Sequence, residues 1–183
     1  MMLDLSTINP NDVEPLREIV RKTRDDQRNS CFTVHWKGDY HCKLFIGKQP
    51  EHLLDGLCGA FHTRHGLLMR NYGNKQKNAY YHEAGFAGTL LHEWCHRMQW
   101  FCSSNKNDGW YNEVSHLHQD QLYAKWVDIC GATYAASSAY EMSAEAFRAL
   151  KGWRSTEVWE DNQEFLADWR DFFMSDPVFS LLF

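Results

Sequence analysis

The spacing of apolar residues changes period several times along this chain, and each change marks an element. After Pro10, Asn11 suits the N-cap of a helix from Asp12 to Asp26 that puts Val13, Leu16, Ile19 and Val20 on one face. An alternating pattern takes over from Cys31 to Trp36 and again from His41 to Ile46, with a turn at Gly38-Asp39. Setting Phe32, Val34 and Trp36 opposite Ile46, Leu44 and Cys42 gathers the bulky apolar side chains on one face of a hairpin. That register implies a three-residue loop at Gly38-Asp39-Tyr40 and leaves Thr33, His35 and Lys43 on a wet face. A short helix from Glu51 to Phe61 and a strand from Gly66 to Asn71 follow, and the polar run Gly73 to Asn78 reads as a loop.

Helical spacing governs the rest. It predicts a helix from Ala84 to about Cys102, ended by the polar run Ser103 to Gly109. A second helical region runs from Gln119 to Lys151, with a break near Gly131 or Ser137-Ser138. A final helix from Thr156 to Met174 is capped by Ser155 and stopped before Pro177. Helix, hairpin, helix, strand, then helices is the order of an α+β fold: a small sheet with its hairpin packed on one central helix. With no repeat or linker-like tract, a single domain over 1–183 is expected, its core about 31–151 and helical extensions at both ends.

Composition narrows the function classes. The 183 residues are 44% hydrophobic and include 8 Trp and 11 Phe, which is a folding rather than a disordered composition. A net charge of −5 gives no long-range attraction for nucleic acid, so none is expected as a partner. No apolar run approaches the roughly 20 residues of a membrane helix, and the start Met1-Met2-Leu3-Asp4-Leu5 lacks the pattern of a signal peptide. A cytoplasmic protein with no membrane partner is the expectation. The six cysteines form no C-x-x-C pair and are expected as reduced, mostly buried thiols.

The chemistry concentrates on the helix from Ala84 to Cys102. A 100° step aligns Gly85, Thr89, His92, His96 and Gln99 in one narrow stripe, while Leu91, Trp94, Cys95, Met98 and Phe101 make a broad apolar face. Two imidazoles and a carboxylate inside so apolar a helix need strong partners, and a metal ion is the natural one. Residues four apart share a face, so His92 and His96 can reach one zinc ion, and Glu93 beside them can serve as general base. His92-Glu93-Trp94-Cys95-His96 is thus the H-E-x-x-H arrangement, with a chance expectation of roughly 0.03 in a chain of this composition. A catalytic zinc takes a third protein ligand. Glu141, with Glu145 one turn on, is the best candidate: Glu141 would ligate and Glu145 would orient a ligand. The plain alternative for both is a solvated face pairing with Arg148, and His116 or His118 are rival ligands.

His92-Glu93-x-x-His96 followed 45 residues later by Glu141-x-x-Ala144-Glu145-Ala146-Phe147 resembles the gluzincin metallopeptidases. The likeness covers about Ala84 to Leu150. It implies a zincin-like fold and a Zn2+ site of His92, His96 and Glu141. It further implies Glu93 as the catalytic base and Glu145 supporting the ligands. Thr89-Leu90-Leu91-His92-Glu93 also looks like SprT-type proteases, but the His-Gly pair usual at their third ligand is missing here. Metzincins are excluded, since Gln99 and Cys102 stand where they need Gly and His. The function so implied is hydrolysis of peptide bonds in a polypeptide substrate. The rival is a non-catalytic structural or interaction protein that retains a zinc site. Tyr134, Tyr140, His116 and His118 remain open as oxyanion donors, the strand Gly66 to Asn71 is expected as the edge that aligns substrate, and Trp153, Trp159 and Trp169 are expected in the core.

Overall fold

The computed structural model describes residues 2–4, 30–35, 41–47, 52–55, 57–70, 83–104, 113–154, 157–175 and 179–183. The expected helix Asp12 to Asp26, the hairpin loop, the loop Gly73 to Asn78 and the Ser155 cap lie outside them. The class is α+β. The chain divides into two compact units, 1–94 and 95–183, and the division falls inside one uninterrupted helix.

Among the described residues the first unit holds a five-stranded sheet in the order β1-β2-β3-β5-β4. Its strands are β1 (Met2–Asp4), β2 (Ser30–His35), β3 (His41–Gly47), β4 (Gly59–His62) and β5 (Gly66–Arg70). β2 pairs antiparallel with β3, β3 parallel with β5, and β4 antiparallel with β5. The β2–β3 hairpin forms where alternation predicts it, in a register two residues away from the expected one: Phe32 faces Leu44 and Val34 faces Cys42. A shift of two keeps every side chain on its own face. Leu44 and Ile46 are accordingly buried and Lys43 is exposed. Hydrophobic patterning determines only the parity of a register, and here the last pair, His35 with His41, leaves five residues for the connection instead of three.

The expected helix Glu51 to Phe61 is corrected: the described part of that segment is turn and coil leading into β4. β4 takes the edge beyond β5, so Gly66–Arg70 is an interior strand, with Leu67, Leu68 and Met69 all buried. Three consecutive buried residues mean that both faces of β5 are covered.

Helix α1 (Glu83–Ser104) starts in this unit, where Ala87, Leu90, Leu91 and Trp94 are buried. In the second unit it continues through buried Cys95, Met98 and Gln99. There it is followed by α2 (Glu113–Cys130), a 3-10 turn at Tyr134–Ser137, α3 (Ala139–Leu150), a 3-10 turn at Val158–Asp161, α4 (Gln163–Met174) and a last 3-10 turn at Phe179–Leu182. The expected helical region Gln119 to Lys151 begins earlier, at Glu113, and in place of one break near Gly131 or Ser137-Ser138 both positions interrupt it. Gly131 ends α2 at φ 59°, a conformation that disfavours any residue with a Cβ, and Ser138 opens α3 as its N-cap. The final helix starts at Gln163, later than expected, where Asn162 caps it, its side chain accepting from the amides of Glu164 and Phe165. Helices α2, α3 and α4 pack on one another around Phe147, Phe165, Trp169, Phe172 and Phe173, all fully buried. Trp153 and Trp159 are core residues too, as expected.

Candidate metal centre

The apolar character of α1 positions its polar stripe. With Leu91, Trp94, Cys95 and Met98 all at 1% exposure or less, the helix is held on its hydrophobic face, and the stripe cannot turn away from the interior. His92 and Glu93 are buried, and the His96 side chain retains 19% exposure. Glu141 stands in the first turn of α3, where its backbone amide donates to the Ser138 hydroxyl at 3.2 Å. A carboxylate in that turn sits at the positive end of the helix dipole, which favours its ionised form.

The ligand atoms of His92, His96 and Glu141 lie within 4.8 Å of one another, a group that can hold a metal ion. The His96 Nε2 to Glu141 Oε2 distance is 3.2 Å. Two donors held at about 2.0–2.1 Å by one tetrahedral zinc would stand about 3.3 Å apart, so the pair has the spacing of neighbouring ligands. Two imidazoles and one carboxylate are also the donor types that a borderline-soft divalent ion takes. Among the described residues this is the group of three or more His, Cys, Asp or Glu that converges in this way.

Glu93 is placed by the first unit. A Cβ built on Gly59 would come within 3.2 Å of Glu93 Cγ and 2.9 Å of Thr89 Cγ2, so β4 begins directly against the flank of the general-base candidate. The edge strand beside Glu93 is therefore β4, and the expectation that Gly66 to Asn71 would serve as that edge is corrected.

The rival ligands have other engagements. His116 Nδ1 is 3.2 Å from the Tyr140 hydroxyl, and exposed His118 meets Phe172 edge-on with ring centroids 5.2 Å apart. Burial and nearby Asp120 hold the Tyr140 hydroxyl above its ordinary pKa, so at neutral pH it keeps its proton and can donate to His116. Tyr134 is 60% exposed. Glu145 pairs with Arg148 at 2.5 Å, and the same guanidinium reaches buried Glu160 at 2.5 Å. Burial alone would lower the Arg148 pKa, but the two carboxylates outweigh it and raise the value. The pairing with Arg148 is the alternative reading of Glu145, but at 11% and 16% side-chain exposure it is a largely buried pair and not a solvated face.

Helical spacing puts Gln99 on the stripe without indicating a role for it. In the structure its Oε1 lies 2.8 Å from His96 Nδ1, and its Nε2 reaches Tyr140 O at 3.3 Å and the Ser143 hydroxyl. The available signal was a third polar residue on the same face, three positions after His96, in a helix that is otherwise largely apolar.

Of the six cysteines, Cys31, Cys42, Cys58, Cys95 and Cys130 carry thiols not bonded to one another; Cys95 and Cys130 are buried, while Cys31 is exposed. No helix among the described residues is long and apolar enough to cross a membrane. Comparison with protein-family models, curated proteins and solved structures finds no match.

Proposed function

We propose that this protein is a zinc-dependent metallopeptidase of zincin-like fold, in which His92, His96 and Glu141 hold the metal and Glu93 is the general base. One observation carries the reading: Glu141, 45 residues away in sequence, brings a carboxylate oxygen to 3.2 Å from the second histidine of the H-E-x-x-H pair. Zinc bound by these residues supplies a Lewis acid for a peptide carbonyl and lowers the pKa of water to near 7. The role of Glu93 is proton transfer: its carboxylate accepts a proton from the attacking water and returns it to the leaving amine. Its position against Gly59 links that proton transfer to β4, along which an extended peptide substrate aligns by strand addition.

The test is zinc content and peptidase activity of wild type against Glu93→Gln on a mixed peptide pool. The expected result is about one zinc per chain in both, with activity lower by about 10²–10⁴-fold in the variant. Equal peptidase rates refute Glu93 as base. Zinc in both with peptide cleavage in neither moves the protein to a metal-stabilised, non-catalytic role.

A further inference from the structure

We infer that Gln99 is a positioning residue that fixes the tautomer of His96 and so presents the Nε2 lone pair of that ring to the metal; this rests on the zinc-site part of the reading above. Gln99 is 4% exposed, and a buried amide needs partners for both of its ends. One end only donates and the other only accepts, so the surroundings decide which way it points. Tyr140 O, 3.3 Å away, is a carbonyl and can only accept; the NH2 group must face it. The Ser143 hydroxyl, fully buried, donates to that same carbonyl at 2.9 Å, which leaves its oxygen to accept from the same NH2 group.

With the nitrogen committed, Oε1 is the atom 2.8 Å from His96 Nδ1. An amide oxygen cannot donate, so Nδ1 must carry the proton. In a neutral imidazole the lone pair is then on Nε2, the nitrogen 3.2 Å from Glu141 Oε2 and the one that joins the candidate ligand set. The opposite tautomer would set two lone pairs against each other at 2.8 Å and turn an N–H toward the metal. The same amide fastens α1 to the first turn of α3 through Tyr140, the residue before Glu141. One side chain therefore orients one ligand ring and ties its helix to the turn that carries another ligand.

The experiment measures zinc affinity of the full chain by chelator competition, with thermal stability of the metal-free protein recorded in parallel. Gln99→Leu removes the acceptor and is expected to weaken zinc about 10–100-fold. Gln99→Glu retains an acceptor for Nδ1–H and is expected to hold zinc within about threefold of wild type, the range of context effects. It also sets a carboxylate against the Tyr140 carbonyl, so its melting temperature falls below that of Gln99→Leu. A residue acting only as a clamp between helices gives the same order for zinc affinity and for stability, whereas the tautomer role inverts them. A zinc affinity of Gln99→Leu within threefold of wild type, or a loss in Gln99→Glu as large as in Gln99→Leu, overturns the inference. Should the leucine variant fail to fold, a long-range ¹H–¹⁵N spectrum of the zinc-loaded wild type decides. Nδ1–H with a metallated Nε2 at His96 supports the inference, and metal on Nδ1 refutes it. Wild type that binds no zinc removes the metal reading itself, a result distinct from any of these.

Discussion

Two histidines one helical turn apart bind zinc tightly only when a third ligand closes on them, so the identity of Glu141 bears the most weight at the residue scale. Its case is geometric. Ser138 caps the turn that carries Glu141, the helix dipole favours its charge, and Oε2 lies at ligand spacing from His96. His116 and His118 are nearer in sequence to His92 and His96, but one meets Tyr140 and the other Phe172. Glu141→Ala is therefore expected to weaken zinc by more than about 100-fold, beyond the range typical of outer partners. His116→Ala and His118→Ala should fall short of even the roughly 10–100-fold loss typical of outer partners. Chelator competition on the three purified variants checks this. A large loss in either histidine variant with an unchanged Glu141→Ala would transfer the third position to that histidine.

At the scale of elements, what could be read from the sequence depended on how local each signal was. α1 was legible because its apolar face spans more than four turns, and the α2–α3 break because Gly131 and Ser138 are stop and start residues whose effect is local. The stretch leading into β4 was misread. Leu53, Leu54, Leu57, Cys58 and Phe61 have the spacing of a helix face, yet Leu54 and Leu57 are exposed and Gly59–His62 pairs with β5. That pairing is a short hairpin, closed between His62 and Gly66, and a four-residue strand containing Gly and Ala leaves it unmarked by any alternation. Sheet order was invisible for the same reason: nothing local in Gly66 to Arg70 says that another strand lies beyond it. His92 and His96 stood out through helical spacing, and with Glu141 they form the group that could hold a metal ion. The support from Gln99 did not stand out, since it depends on which atoms of α3 approach α1.

β4 also makes a prediction at this scale. A Cβ at Gly59 would come within 2.8 Å of Met69 Sδ, 2.9 Å of Thr89 Cγ2 and 3.2 Å of Glu93 Cγ. Met69 can yield, being flexible, but Thr89 and Glu93 are both carried by α1. Gly59→Val is expected to cost about 1–3 kcal/mol of stability by overpacking. It should also lower peptidase activity in the protein that remains folded, because relief comes by displacing Glu93. Urea denaturation together with rate per folded molecule separates the two effects. A destabilised variant with the full rate per folded molecule would show that Glu93 tolerates the shift.

Among the described residues of the second unit, Cys130, Tyr140 and Lys125, like Arg148, hold their protons more tightly than usual. Burial pushes the Cys130 thiol from its ordinary 9.0 up to about 11. Burial, with Asp120 nearby, raises Tyr140 above 10.0, and hydrogen bonds to Asp168 and Glu164 raise Lys125 above 10.5. Cys130 and Tyr140 resist becoming anions, while Lys125 resists losing a cation. The linkage has one sign for all three, because in each case the unfolded chain releases its proton first as pH rises. Stability from these groups is fully present below the unfolded pKa values and is lost as pH climbs through the folded ones. The urea midpoint should therefore hold steady through neutral pH and begin to fall near 9, where an unfolded Cys130 would ionise, with Tyr140 and Lys125 adding to the decline as pH rises through their ordinary values of 10.0 and 10.5. Cys130→Ala should be less stable at neutral pH, from the cavity it leaves, yet flatter between 9 and 11. A midpoint that rises over that window in wild type, or a slope the alanine variant leaves unchanged, would show that the buried thiol does not govern the onset of alkaline unfolding.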